Sequence, residues 1–325
     1  MNRNTIKVSA PGKLMLFGEH AVIYGKPCIV TAVDQRIHMK IEKISGDLLI
    51  INAPEVKVKN YIIGVSKLGR VVYPKEIAFV LKAVENFFKK HRVSSGLKIF
   101  TKSEFSSLFG FGSSSAVTVC VIKSLSELFD IQVDNKSLFD MAYKTVLEVQ
   151  GVGSGFDLAA AIWGGTIYYI TGGEKITPLK IGKLPLVVGY TGIKADTATL
   201  VHEVASLYKT NRKVVGRIFD AMGVIVESAE TAFSERDYKK LGKLMNLNQG
   251  LLDSLGVSTE TVSKLIFAAR QHKAYGAKLS GAGGGDCIIA LSSPKRRVNV
   301  ESAIKAVGGT ILNVKTGAEG VRIEI

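Results

Sequence analysis

The chain has 325 residues, 46% hydrophobic and 22% charged, with a formal net charge of +15. This is a globular composition with room for two domains, and its positive balance favours anionic partners. The densest basic runs, Lys89-Lys90-His91-Arg92 and Lys295-Arg296-Arg297, lack interleaved aromatics and any helix-turn-helix or zinc-finger spacing, so they read as solvated faces rather than a nucleic-acid module.

In chain order, Ile6-Lys7-Val8 alternates into Ser9-Ala10-Pro11-Gly12-Lys13, and Leu14 to Phe17 follows as a short strand ending in Gly18-Glu19-His20. Cys28 to Ile41 and Leu48 to Asn52 are predicted strands, whereas Gly64 to Tyr73 reads as a loop. Pro74 opens a helix whose apolar face runs from Ile77 to Phe88. Gly96 to Thr101 is a strand, Val117 to Phe129 a helix after a glycine-serine loop, and Asn135 to Gln150 another helix. A glycine-rich turn at 151–155 then enters the small-residue segment Leu158 to Ile162, and Thr166 to Ile170 forms a strand.

The character changes near residue 182, which divides the chain into domains 1–182 and 183–325. Beyond the strand Leu186 to Tyr190, helices dominate from Asp196 to His272. A strand at 277–279, a glycine cluster, the strand Cys287 to Leu291, a helix from Val298 to Val307 and two closing strands complete the chain. The pattern predicts an α+β fold. No apolar run reaches the ~18 residues that span a bilayer, and residues 1–10 lack a signal core. Cys28, Cys120 and Cys287 show no CxxC spacing and read as buried free thiols. A cytoplasmic location with no membrane partner is the expectation.

Three glycine-rich segments recur: Pro11-Gly12-Lys13, Gly110 to Ser115, and Ser280 to Asp286. None is a Walker A loop or a dinucleotide fingerprint. In the second, Gly110 and Gly112 precede Ser113, Ser114 and Ser115 at the start of a helix, where unpaired N–H groups and the helix dipole suit an anion. The alternative is a glycine turn with a serine N-cap. Phosphoryl transfer needs such a cradle, a divalent metal, a cation and a group that takes the acceptor's proton. Ser114 is a candidate for Mg²⁺, Lys13 for the cation and Asp157 for the base. An Asp entering a helix also makes a good N-cap, which is the competing reading of Asp157. The many glycines of 281–285 require positive φ or close approach by something.

The three segments resemble, in order, the signature motifs of the GHMP small-molecule kinases. Pro11 to Gly25 is similar to the first motif of the mevalonate kinases in that family, Gly110-Phe111-Gly112-Ser113-Ser114-Ser115-Ala116 to the ATP-phosphate loop, and Lys278 to Gly285 to the third motif. The resemblance implies a half like the second domain of ribosomal protein S5, a ferredoxin-like half, and ATP in the cleft between them. It implies Asp157 as base and Lys13 as the residue that activates the acceptor hydroxyl, with Ser114 toward Mg²⁺. Glu19, His20, Thr191, Gly281 and Ala282, with Lys13 and Asp157, fall on the acceptor side, and Lys194 is a further candidate there. The implied partners are ATP and mevalonate, with 5-phosphomevalonate the alternative acceptor and a homodimer compatible with either.

The resemblance departs from the mevalonate kinase pattern at three places. Val146 stands where a metal-binding Glu is usual, and the nearest acid, Glu148, falls on another helical face. Gln150 to Ala161 and the Gly285-Asp286 step are more similar to phosphomevalonate kinases.

Overall fold

A computed structural model describes residues 4–324. β1 (Thr5–Phe17) and β2 (Cys28–Ile44) pair antiparallel along almost all of β1 and form the spine of the first sheet. β1 is a single strand where the sequence suggests a break, because a bulge between Pro11 and Gly12 absorbs the interruption. Proline brings no N–H to a ladder, and a bulge is where a strand tolerates it. The residue delivered just past that bulge is Lys13.

β3 (Leu48–Ala53) and β4 (Val58–Gly64) make a hairpin. β4 is invisible to alternation because it is an edge strand burying only Ile63, with Lys59 and Asn60 in its middle. α1 (Ala78–His91) leads to β5 (Gly96–Ser103), which joins β2 antiparallel and β3 parallel. α2 (Ser113–Leu128), α3 (Asn135–Gln150) and α4 (Phe156–Trp163) follow, with α2 and α4 on β1 and β2 and with α1 and α3 against α2. β6 (Thr166–Ile170) pairs the first residues of β2, and β7 (Lys175–Leu179), another edge strand, pairs β6.

The second sheet holds β8 (Leu186–Tyr190), β9 (Gly276–Ser280), β10 (Cys287–Leu291) and β11 (Thr310–Leu312) in the order β11-β8-β10-β9, all antiparallel. The helical stretch between β8 and β9 resolves into α5 (Thr197–Thr210), α6 (Arg212–Ser234), α7 (Tyr238–Ser254) and α8 (Glu260–Gln271). Side chains of Asp196, Asp237 and Thr259 cap α5, α7 and α8 by accepting a backbone N–H from the first turn. α9 (Arg297–Ala306) lies between β10 and β11. A strand order of fourth, first, third, second with helical crossovers is the ferredoxin-like arrangement.

The two closing strands separate. β11 completes the second sheet, whereas β12 (Arg322–Ile323) pairs β1 in the first. Arg36, 5% exposed, fastens this return by donating to the carbonyls of Glu319 and Gly320 at 2.8 and 2.7 Å. The larger apolar core crosses between the halves, joining Phe17 and Val22 to Phe233, Met245 and Ile289. All three cysteines are free and buried. Among the described residues no helix is long and apolar enough to cross a membrane.

α7 lies very close to β9. A Cβ on Gly242 would fall 2.2 Å from the Tyr275 carbonyl carbon, and one on Gly276 would fall 2.0 Å from the Gly242 oxygen. Helix propensity favours Ala over Gly by about 1 kcal/mol, but overpacking against backbone costs about 1–3 kcal/mol. Gly242→Ala is therefore expected to lower the urea midpoint. A raised midpoint would show that α7 can lift from the sheet at little cost.

Candidate active site

Lys13 and Asp157, 144 positions apart in the sequence, meet with Nζ 3.1 Å from Oδ1. Lys13 is 7% exposed, and its ammonium also donates to the Gly110 carbonyl at 2.9 Å and lies 5.4 Å from the Phe156 ring centroid. Asp157 does not cap α4, because the N-cap is Gly155 with φ 91° and no side-chain bond. The carboxylate instead sits in the first turn, where the helix dipole favours negative charge. Its Oδ1 is buried against the Lys13 ammonium, while the side chain as a whole is 32% exposed.

The glycine-serine loop lies directly over this pair. A Cβ on Gly112 would be 3.2 Å from Lys13 Cε and 3.4 Å from Asp157 Oδ1. Gly112, with φ 75°, is itself the N-cap of α2, and no serine side chain caps the helix. Ser113, Ser114 and Ser115, the first turn of α2, therefore line a pocket shared with Lys13 and Asp157, at the end of the helix whose N–H groups lack intrahelical partners. Phe111 and Ala116 do not line it. Phe111 is 2% exposed, packs against Phe105 and Phe109, and its carbonyl accepts the Lys13 N–H at 3.0 Å. It anchors the loop to β1.

A second cavity of about 350 Å³ adjoins the first and shares Asp157, Gly281 and Ala282 with it. Glu19 and His20 are in its wall, along with apolar Met15, Val22, Ile23 and Val201. His20 has φ 60° and ψ −50°, an unusual conformation for a residue with a Cβ. Its Nε2 is 2.8 Å from the Ala282 carbonyl, which can only accept, so Nε2 carries the hydrogen. Glu19, which the sequence places beside the acceptor, has its carboxylate committed to Lys278 and, at 3.3 Å, to Asn248 Nδ2. Lys278 heads the third glycine motif, but its pairing with Glu19, and the place of Asn248 beside them, appear only in the structure.

The glycine cluster divides by purpose. Gly281, with φ 107° and open space beyond it, lines both cavities. Gly283, Gly284 and Gly285 are approached by Val257, Leu200 and Ile193 of the same chain, not by a ligand. Thr191 lines neither cavity, and its hydroxyl bonds the backbone of Ile193 at 3.2 Å. Lys194 and Asp286 do line the serine pocket and pair there at 3.2 Å.

For a divalent cation, the donor set is oxygen only: serine hydroxyls and the carboxylates of Asp157 and Asp286. Val146 contributes an apolar wall, and Glu148 turns away to Asn86 and Lys144. Among the described residues no group of three or more His, Cys, Asp or Glu converges. This suits Mg²⁺, which keeps waters and takes one or two carboxylates beside phosphate oxygens.

Burial pushes the His20 imidazole below its ordinary range, against the opposing pull of the Ala282 carbonyl and Glu19. The folded state thus prefers the neutral ring, while the unfolded chain takes up a proton near pH 6.5. Stability from this residue is present above about pH 6.5 and is lost as pH falls below it. The urea midpoint should fall between pH 7 and 5.5, and fall less in His20→Asn; equal falls would remove His20 from the account. For the Glu19–Lys278 pair, Glu19→Gln alone leaves a buried ammonium and should cost about 3–5 kcal/mol. Adding Lys278→Met should recover part of that loss in a double-mutant cycle. Strict additivity would mean the two do not interact.

Comparison with known proteins gives a consistent picture. The model of the GHMP kinases N terminal domain matches residues 78–165, and that of the GHMP kinases C terminal matches 229–310. A mevalonate kinase of Pyrococcus abyssi is 37% identical over 98% of each chain. The crystal structure of L. major mevalonate kinase in complex with R-mevalonate superposes with a TM-score of 0.79 at 27% identity, covering 97% of this chain and 96% of that one. The Streptococcus pneumoniae phosphomevalonate kinase, at 21% identity and TM-score 0.77 over 96% and 99% of the two chains, shares the fold. With a domain model on each half and relatives matched from end to end, this chain belongs to the GHMP kinase family.

Proposed function

We infer that this small-molecule kinase transfers the γ-phosphoryl group of ATP to the 5-hydroxyl of mevalonate. The observation that carries the reading is the Lys13–Asp157 pair at the join of two cavities, one walled by a helix N-terminus and serines, the other by apolar side chains and His20. The triphosphate occupies the first and the acceptor the second, so the hydroxyl meets the γ-phosphorus beside Asp157. The acceptor oxygen forms its bond to phosphorus as the bond to the β-phosphate oxygen breaks, and the Asp157 carboxylate, whose side chain is 32% exposed, takes the hydroxyl proton. The Lys13 ammonium stabilises negative charge on the reacting oxygens, and its low exposure makes that interaction strong. Mg²⁺, when bound, screens the phosphate charge, and Ser114 is the hydroxyl proposed to hold it.

Mevalonate is favoured over 5-phosphomevalonate by the charge of the acceptor cavity. Among the described residues lining it there is no Lys or Arg, and its two acids, Glu19 and Asp157, are already paired with Lys278 and Lys13, which leaves no free cation there for an added phosphate. An acceptor already carrying a phosphate dianion would face Asp157 with only Lys13 to offset it. The division of the chain near residue 182 is retained in this reading, with the tail from about residue 314 serving the first domain.

Purified protein with ATP and Mg²⁺ should release ADP with mevalonate and give a product one phosphoryl group heavier. Turnover confined to 5-phosphomevalonate would overturn the acceptor and keep the mechanism. Asp157→Asn should lower kcat by about two to four orders of magnitude with ATP affinity by calorimetry near normal. Unchanged turnover would make Asp157 a structural residue.

A further inference from the structure

Asp286 opens β10 from the left-handed region, with φ 50°, and is 6% exposed. Its Oδ1 accepts the Ala195 N–H at 2.9 Å and the Lys194 ammonium at 3.2 Å. Oδ2 lies against the phosphate loop, only 2.4 Å from where a Cβ on Gly110 would stand, which is why residue 110 must be glycine. On the other side of that residue, the Gly110 carbonyl holds Lys13.

A near-buried carboxylate against a phosphate cradle is electrostatically out of place. It repels the ligand the cradle suits, and burial strengthens the repulsion. The charged residues lining this pocket are Lys13, Lys194, Asp157 and Asp286, a formal balance of zero. A polyanionic triphosphate therefore finds only helix ends, worth about half a charge each, to offset it. A metal–triphosphate complex would remove the conflict, because its cation would offset the charge of the carboxylate. Asp157 is engaged with Lys13 and the acceptor, which leaves one carboxylate in the pocket unassigned.

We propose that Asp286 is the carboxylate that faces the divalent cation of the metal–nucleotide complex, with Lys194 exchanging from Asp286 to a phosphate oxygen as the complex enters. The Lys194 side chain is 42% exposed and so has room to make that move. The proposal rests on the nucleotide reading of this pocket.

The test uses calorimetry of the non-hydrolysable analogue AMPPNP with excess Mg²⁺ and with EDTA, for the unaltered protein, Asp286→Asn and Lys194→Met. Asn tolerates the left-handed backbone and still accepts from Ala195, so only the charge is lost. The readout is the ratio of affinity with Mg²⁺ to affinity with EDTA. In Asp286→Asn it should fall about tenfold or more, the scale of one charge-assisted interaction, since repulsion is relieved without metal and attraction lost with it. Lys194→Met should weaken AMPPNP in both conditions. An unchanged ratio in Asp286→Asn, whether both affinities drop together or stay, reduces Asp286 to a loop anchor and overturns the proposal. If the unaltered protein binds AMPPNP in neither condition, the nucleotide reading fails, and the proposal with it.

Discussion

The buried ion pair between Glu19 and Lys278 ties the two halves together where the site forms. Neither side chain is measurably exposed, and burial pulls the Lys278 ammonium down while Glu19 opposes that pull. Such a pair returns little net stability, because desolvation offsets most of the attraction. What it supplies here is register. It joins the end of β1's turn to β9, and around it lie the Ser280 hydroxyl, bonded to both N and O of Met15 at 2.9 Å, and the His20–Ala282 contact. A pairing that tolerates no solvent and no slip sets where the glycine cluster stands relative to the first sheet.

Given that register, the charges of the cleft follow. The bulge at Pro11–Gly12 delivers Lys13, Gly112 at the head of α2 leaves room for the ammonium, and the first turn of α4 holds Asp157 against it. Two helix N-termini and two Lys–Asp pairs thus converge on one pocket whose formal charge is balanced. On the proposed reading, balance of this kind disfavours a bare polyanion and suits one that brings its own cation.

Glycine has two physical roles along this chain, and they look alike in a sequence. Gly110, Gly112 and Gly281 line the pockets, where a Cβ would strike Asp286, crowd Lys13 or project into open space. Gly242, Gly276 and Gly283 allow backbone to lie on backbone inside the second half. Both kinds demand the absence of a side chain, and only the neighbours in space tell them apart.

Much of the protein was determined by local sequence. The long alternations of β2, the amphipathic face of α1, the three glycine segments and the buried thiols all express periodicities or residue properties that need no partner to be read. Edge strands β4 and β7 escaped because their exposed faces carry polar residues. The Lys13–Asp157 contact was legible as a constellation of residue types, but its distance was not. Tertiary structure alone decided that Glu19 is spent on Lys278, that Thr191 turns to the backbone of Ile193, that Asp286 presses on Gly110, and that β12 leaves the second sheet for the first. Each is a contact between residues distant in the chain or a choice among competing partners, and such choices are settled by packing that periodicity does not encode.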